Sequence, residues 1–482
     1  MLAAGAALLA ALPVSDVTFD GYHLPKEALL AGFAAALVLG GFSIADGVSR
    51  LAWSFAALTV LSGLAAINSW LAFRATTLTL AGVALFEAAR SLDEADRERL
   101  VHAVALLGGV LALVAFVESQ GLLPGLSRAG RAPGATLGQR NAVAHALVLC
   151  SPAAWHGMSS TGRRRWLYAG LSLLFAVVVV LTRCRAAWLS LPLGLLTWLA
   201  LARGRRAAVA AVSLAGAGAA VALPTWLSWS SPSPLRSTLV RLFDADEGSG
   251  LGRLTQWSAS LGLFRECPAL GVGPGNWMVA YPQVSPPGDP TFRGDVVFST
   301  GRLLTSDWVS VLVERGLPAA LCAGVLAVAV AVRLWRVPSA LTPVGGATLA
   351  ALGVVGQLDS VLQVPAGLGI AALLLGACVP RAPFEGPRAV RVGVAALLGA
   401  GALHASLLFA ALVLRTSESA GFEALERASR LAPGDPLVRQ QLAEAYVLEG
   451  RCDAARPHLE ALSRQLPFHA AVKSLAAACE GR

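Results

Sequence analysis

The residues best suited to chemistry lie in one polar interval, about 228 to 303, and at the ends of the apolar stretches around it. Six arginines fall in the interval: Arg236, Arg241, Arg253, Arg265, Arg293 and Arg302. A guanidinium is a planar fork of donors that matches phosphate oxygens, so this residue type suits an anionic phosphate. Arg183 and Arg185 add two more where two apolar stretches meet with almost no loop. An arginine at membrane depth is costly and so a candidate for function, with snorkelling at a helix end as the alternative. Gly271-Val-Gly-Pro-Gly275 forms a short turn after Pro268, and Gly273 and Gly275 would let a backbone approach a ligand closely. That turn does not open a strand–helix unit, which excludes a dinucleotide fingerprint. Asp307 and Glu314 are two carboxylates about two helical turns apart. Asn141, with Glu118, Gln139, Arg140 and His145, lies at the end of its apolar stretch, as do Gln357, Asp359 and Gln363. Together these would line a polar cavity. The seven histidines are scattered with no ligand spacing, so no metal and no cofactor is expected.

The elements that must position these groups are membrane helices. The chain has 482 residues, 56% hydrophobic and 14% charged, with mean hydropathy +0.64; a soluble domain is near 25% charged. Stretches of about 20 apolar residues, enough to cross a bilayer, fall near 28–45, 51–68, 74–90, 100–117, 139–157, 166–183, 185–202, 207–227, 304–333, 339–357, 361–379 and 389–414. Residues 1–13 are apolar but short, a shallow or truncated first span. The expected fold is an all-α polytopic membrane protein with about 12–13 transmembrane helices. Its regions are 1–227, a large loop 228–303, a second helical group 304–414 and a tail 415–482.

Charge orients the array. Arg50, the Arg90–Arg99 stretch, Arg163 to Arg165, Arg203 to Arg206, Arg333 with Arg336, and Arg381 to Arg391 fall in alternate loops. The positive-inside rule makes all six cytoplasmic and turns 228–303 and the tail outward. The net charge of +9 sits at span ends rather than on one soluble face, which argues against nucleic acid.

Within 251–265, Leu251, Leu254, Trp257, Leu261 and Phe264 share a helical face that leaves Arg253 and Gln256 off it, as in a helix lying on a membrane surface. There Arg253 either meets a ligand or snorkels to headgroups. The tail changes character from 421 onward: Ala424, Ala428, Leu431, Leu442, Ala443, Tyr446, Ala454, Leu459 and Leu462 recur at helical spacing. The pattern resembles one or two tetratricopeptide units, which bury their apolar face only by stacking. Such a tail either packs on the membrane domain or docks a partner. Cys452 and Cys479 lie in it, and two states are open to them: a disulfide if the tail is outside the cytoplasm, or two free thiols.

Read in order, the fragments resemble one family, the bacterial O-antigen ligases and related polysaccharide polymerases. Gly134-Ala-Thr-Leu-Gly-Gln-Arg-Asn-Ala-Val-Ala144 resembles the family's G-T-x-G-N-x-N-x-x-A. Thr182-Arg-Cys-Arg-Ala-Ala-Trp188 resembles its T-x-S-R-x-x-W. Arg253-Leu-Thr-Gln-Trp257 and Gly271-Val-Gly-Pro-Gly-Asn-Trp277 resemble its R-x-x-x-W and G-x-G-x-G-x-[FW], and Asp307 to Pro318 its segment after the histidine.

The resemblance implies a metal-independent glycosyltransferase that moves a glycan from undecaprenyl pyrophosphate to an acceptor on the periplasmic face of the inner membrane. The acceptor would be a lipid A core, a growing glycan or a protein. It implies that Arg185 and Arg253 bind the pyrophosphate. The family's histidine falls on Thr305, a poor base, so Asp307, Glu314 or His145 would have to replace it. The alternatives are a catalytically inactive member that binds lipid-linked glycan and recruits a protein through 421–482, and a transporter, which would show inverted repeats or broken helices.

Overall fold

The computed structural model describes residues 1–10, 19–40, 46–123, 126–127, 131–202, 206–222, 234–240, 248–287, 289, 302–380, 387–416 and 421–480. Arg203, Arg205, Arg241, Arg293 and Arg381 fall outside these, as does most of the interval 288–301. The described residues form helices and no strand. The first group is α1 (Leu2–Leu9), α2 (Phe19–Gly40), α3 (Gly47–Leu64), α4 (Ser69–Arg90), α5 (Glu94–Ser119), α6 (Arg140–Gly157), α7 (Arg164–Thr182), α8 (Arg185–Leu201) and α9 (Arg206–Ala222). The loop carries α10 (Pro234–Val240), α11 (Gly248–Glu266) and α12 (Trp277–Ala280). The second group is α13 (Asp307–Arg336), α14 (Thr342–Leu358), α15 (Pro365–Cys378) and α16 (Arg388–Thr416); the tail is α17 (Phe422–Leu431), α18 (Pro436–Leu448), α19 (Cys452–Gln465) and α20 (Ala470–Glu480).

Over the described residues each of the twelve apolar stretches carries a helix at the expected place, and the chain is an all-α, multi-pass membrane protein. Among the described residues seven helices, α2 to α5, α7, α13 and α16, are long and apolar enough to cross a bilayer alone. The expected 12–13 is approached only by adding four shorter helices and the 18-residue α6, which together give twelve. α8, α9, α14 and α15 run 14 to 17 residues, about 21–26 Å at 1.5 Å per residue, less than the ~30 Å hydrocarbon core. α15 is buried over most of its length, facing protein rather than lipid. α1, at eight residues, is too short to span and is buried against α2, α5 and α15.

Helices pair as α2 with α16, α8 with α14, α7 with α9, α4 with α15 and α3 with α13. Small residues set the spacing: a Cβ on Gly376 would stand 2.4 Å from the Phe86 carbonyl oxygen. Without a hydrophobic force between helices in lipid, such close approach is what holds them. Helix starts are fixed by side-chain caps at Asp46, Asn68, Asp93 and Ser306, each worth roughly 1 kcal/mol.

One helix is broken where the loop meets it. Gly316 in α13 has φ 79° and ψ 175°, and a Cβ there would lie 2.3 Å from the Ala269 carbonyl oxygen. The glycine turn bonds along that break: the N–H groups of Val272, Gly273 and Leu317 donate to the carbonyls of Val313 (3.0 Å), Glu314 (2.9 Å) and Pro268 (2.9 Å).

The tail packs on the membrane domain. Its Ala428, Ala432 and Val438 pack with Leu24 of α2 and Ala405, Leu408 and Leu412 of α16, while Leu442, Tyr446 and Leu459 join Val279 of α12. These contacts supply the stacking surface that two helical hairpins lack on their own. Cys452 and Cys479 form a disulfide, Cα–Cα 5.5 Å.

Candidate functional site

The groups named from sequence gather at the end of the bundle where α6, α8, α13 and α15 begin and α7 and α14 finish; this is also the end that carries the loop and the tail. Their centre is Asp359, in the turn after α14, whose backbone N–H still bonds to Val355 (2.8 Å). Asn141 Nδ2 donates to Asp359 Oδ2 at 3.2 Å. His145 Nε2 lies 3.7 Å from the same oxygen, and Arg253 Nη2 lies 3.7 Å from it. Asn141 and His145 are four apart on α6 and so share a face; Arg253 comes from α11. Two helices far apart in sequence thus converge on one carboxylate from a third segment. Among the described residues the other oxygen of Asp359 accepts only its neighbour Ser360 N–H, at 2.9 Å.

Cys184 Sγ adds a contact of 3.4 Å to His145 Nε2. It sits between Arg183 and Arg185 in the turn that joins α7 to α8. Arg183 closes α7 in the left-handed conformation, φ 56°, and its Nε and Nη2 donate to Thr238 (2.8 Å) and Ser237 (3.2 Å) of α10. Arg185 opens α8 half-buried. The turn therefore places Arg185 one residue from a group in contact with His145.

α11 is positioned by its polar side. Gln256 and Ser260 are buried, while Leu251, Leu254 and Leu261 are exposed; Trp257 and Phe264, expected on the same outward face, instead pack against the protein beside the buried Leu263, so only the three leucines turn outward as the periodicity predicts. Gln256 Oε1 accepts the Thr305 hydroxyl at 2.8 Å, and Trp257 Nε1 donates to the Thr305 carbonyl at 3.3 Å. Thr305 thus anchors α11, one turn from Arg253.

The two carboxylates on α13 are held differently. Asp307 is 2% exposed; its Oδ2 accepts the Val361 (3.0 Å) and Leu362 (2.9 Å) N–H groups, and its Oδ1 accepts Gln363 Nε2 at 3.3 Å. It braces the turn that presents Asp359. Glu314 accepts Trp277 N–H (3.2 Å) and Ser310 Oγ (3.2 Å) and meets Arg315 at 3.3 Å. It braces the glycine turn.

Gly273 and Gly275 serve the same packing. At φ 99°, a Cβ on Gly273 would stand 2.3 Å from Ala66 Cβ, and one on Gly275 3.1 Å from Ala75 Cβ. Asn276 completes the join: its Oδ1 accepts Asn68 N–H at 2.7 Å and its Nδ2 donates to the Asn68 carbonyl at 3.1 Å. Among the described residues no group of three metal-ligating side chains occurs.

Residues 170–324 match the family described as O-antigen ligase. The tail, residues 419–479, matches the tetratricopeptide repeat. The chain thus has a region similar to the O-antigen ligases and a tail similar to tetratricopeptide repeats, the pair that the motifs indicate. A comparison with curated proteins returns no match. The O-antigen ligase region includes Arg183, Cys184, Arg185, Arg253, Thr305, Asp307 and Glu314, whereas Asn141, His145 and Asp359 lie outside it. The geometry is what joins the two sets. An O-antigen ligase region supports glycan transfer in the general sense.

A second polar cluster lies at the same end, and of its members only Arg302 stands out in the sequence, as one of the six loop arginines. Arg74 of α4 holds Glu27 through Nε and Nη2, both 2.7 Å, and Asp20 through Nη1 at 2.9 Å, while Arg302 Nη1 reaches Asp20 at 2.5 Å. The signal was present as Asp20, Glu27 and Arg74 at the ends of two apolar stretches, where ionisable residues pair with one another.

Proposed function

We propose that the chain transfers a glycan from an undecaprenyl-pyrophosphate donor to a lipid, sugar or protein acceptor at the periplasmic face of the inner membrane. The observation that carries this reading is the convergence of Arg253, His145 and Asn141 on Asp359, with Cys184 of the Arg183–Arg185 turn against His145. In the proposed reaction an acceptor hydroxyl oxygen attacks the donor sugar's anomeric carbon. The bond from that carbon to the diphosphate breaks, and the diphosphate leaves with the electron pair. Arg185 and Arg253 stabilise its growing charge; removing one such fixed donor typically costs about 10²–10³ in rate.

The acceptor's proton needs a carboxylate or imidazole with room to receive it. Asp307 has both oxygens engaged by three donors, so we assign the proton to Asp359, with His145 and Asn141 orienting it. The loosely held carboxylate then does what the family histidine, replaced by Thr305, would do. An apolar groove of about 200 Å³ between α3, α4, α13, α14 and α15, lined by Phe55, Val83, Phe86, Leu326 and Leu375, fits an isoprenoid chain. Arg315, in contact with Glu314, stands among its lining residues. The disulfide in the tail suits an oxidising compartment and so supports the outward orientation.

Thr305 favours a second reading, an inactive member that binds lipid-linked glycan. Complementation of a strain lacking its surface-glycan ligase or polymerase, read as a glycan ladder, separates the two. A ladder restored by the native chain and lost in Arg253→Ala and Asp359→Asn supports transfer. No ladder in any host pathway, from protein that is present and folded, supports the binding reading.

A further inference from the structure

The Asp20–Glu27–Arg74–Arg302 cluster lines a cavity of about 110 Å³ between the membrane helices and the tail. A water needs roughly 10–15 Å³ by this measure, so the space admits an object the size of a sugar ring. α2 supplies Asp20, His23 and Glu27; α4 supplies Trp70 and Arg74; α16 supplies Arg415; the tail supplies Asp435, which caps α18 by accepting Leu437 N–H at 2.9 Å. Three carboxylates face three guanidinium groups, so the lining is neutral in sum. An anion would meet Asp20, Glu27 and Asp435, and a cation would meet the three arginines. A hydrocarbon would leave the ion pairs without polar company, at a cost.

Two donors among the lining residues lack an acceptor. Trp70 Nε1 and Arg415 Nε are buried without a hydrogen-bond partner among the described residues. The Trp70 indole is fixed in place: its ring centroid lies 4.2 Å from that of His404, and a Cβ on Gly434 of the tail would stand 2.4 Å from Trp70 Cγ. An indole offers an apolar face with one polar edge. A ligand with hydroxyls for the carboxylates, oxygen acceptors for the two idle donors and a C–H face for the indole satisfies all three features.

A chain of contacts through residues 303–305 links the cavity to the helix of Arg253. Leu303 and Gln363 line the cavity; Gln363 Nε2 donates to the Leu304 carbonyl at 3.1 Å, and the next residue, Thr305, holds Gln256 on the helix of Arg253.

We infer that this cavity, built jointly by α2, α4, α16 and the tail, is a subsite for an uncharged sugar unit of a glycan that extends from the Asp359 centre. The inference deepens the proposed function and rests on it for the direction of the glycan, but sugar binding is measurable without turnover.

The full chain in detergent, titrated with glucose, galactose, mannose, rhamnose and N-acetylglucosamine by ligand-observed NMR, tests it. Sodium pyrophosphate serves as the second probe. At least one sugar should bind saturably, with affinity reduced at least tenfold in Trp70→Ala and in Arg415→Gln and unchanged in Arg253→Ala. Pyrophosphate should show the reverse pattern. Arg415→Gln is the safeguard should Trp70→Ala unfold, because it leaves the Arg74 ion pairs in place. Sugar binding lost in both variants while no host strain is complemented would leave the subsite standing and remove transfer. No saturable binding of any of the five sugars, or binding indifferent to both variants, would overturn the subsite.

Discussion

Asp359 and Asp307 are both aspartates at the same end of the bundle, yet they are held in opposite ways. Asp307 receives three donors between 2.9 and 3.3 Å, two of them backbone N–H groups. Asp359 Oδ2 receives one amide at 3.2 Å and lies 3.7 Å from both an arginine and a histidine. A carboxylate saturated by backbone donors is a brace: its oxygens are spent, and removing it orphans the donors it satisfied. A carboxylate ringed by side chains at longer distances keeps capacity for a substrate. Position in the sequence favours Asp307, next to the family motif; the hydrogen bonds favour Asp359.

The largest effect expected is on activity at the loosely held centre. Arg253→Ala and Asp359→Asn should each lower glycan transfer by about 10²–10³, read from ladder formation in complemented cells at matched protein level. Arg253→Lys should lose most of that too, since an ammonium cannot replace a bidentate fork. Near-normal transfer by Arg253→Lys would mean that the arginine merely snorkels.

Asp307→Ala is the converse test. It should destabilise the protein by about 2–5 kcal/mol, because two backbone N–H groups at residues 361 and 362 lose their acceptor. Thermal unfolding in detergent reads this directly. Asp359→Ala should shift the midpoint much less. A stable Asp307→Ala with abolished transfer would instead restore Asp307 as the proton acceptor.

The helices and their order were legible because apolar runs and arginine-rich turns are long-range signals that survive in one dimension. Arg253, Asn141 and His145 were legible as types. Asn141, His145 and Asp359 were also legible as lining one polar cavity; that Arg253 joins them there was not, because α11 lies far away in the chain and Asp359 is a single residue in a six-residue turn with no local pattern. Glu314, Gly273 and Gly275 were legible as special without the reason being readable. Gly273 looks the same in sequence whether a ligand or Ala66 approaches it. The Arg74 cluster was hidden because its members lie on three elements and their charges cancel.

In the tail, comparison with the membrane domain turns on the disulfide. Cys452→Ser with Cys479→Ser removes a cross-link between residues 27 apart, worth about 3 kcal/mol in the chain-entropy account. The tail should become protease-sensitive while the membrane helices remain folded. Native chain extracted with thiols blocked should resist a maleimide label at both positions until reduced. Labelling without reduction would place the tail in a reducing compartment and undo the orientation.

The smallest effect concerns the seam between the two regions. Burial, and beyond it the negative charge of Asp20, raises the Asp435 carboxyl above its ordinary value, against the pull of Arg415, Arg302 and the Leu437 N–H. A carboxyl with a raised value in the docked state binds its proton more tightly there than in the undocked chain. Docking must therefore strengthen as pH falls from the raised value toward about 3.9, the ordinary aspartate value, and weaken as pH rises through the raised value. Asp435→Asn keeps an N-cap of equal quality and removes the proton, so it should flatten that dependence and leave the tail at least as firmly docked at neutral pH. Limited proteolysis of the tail across pH 5 to 8 reads both. A native tail that loosens as pH falls would mean that the Arg415 and Arg302 attractions outweigh burial, and that Asp435 is held as an ion.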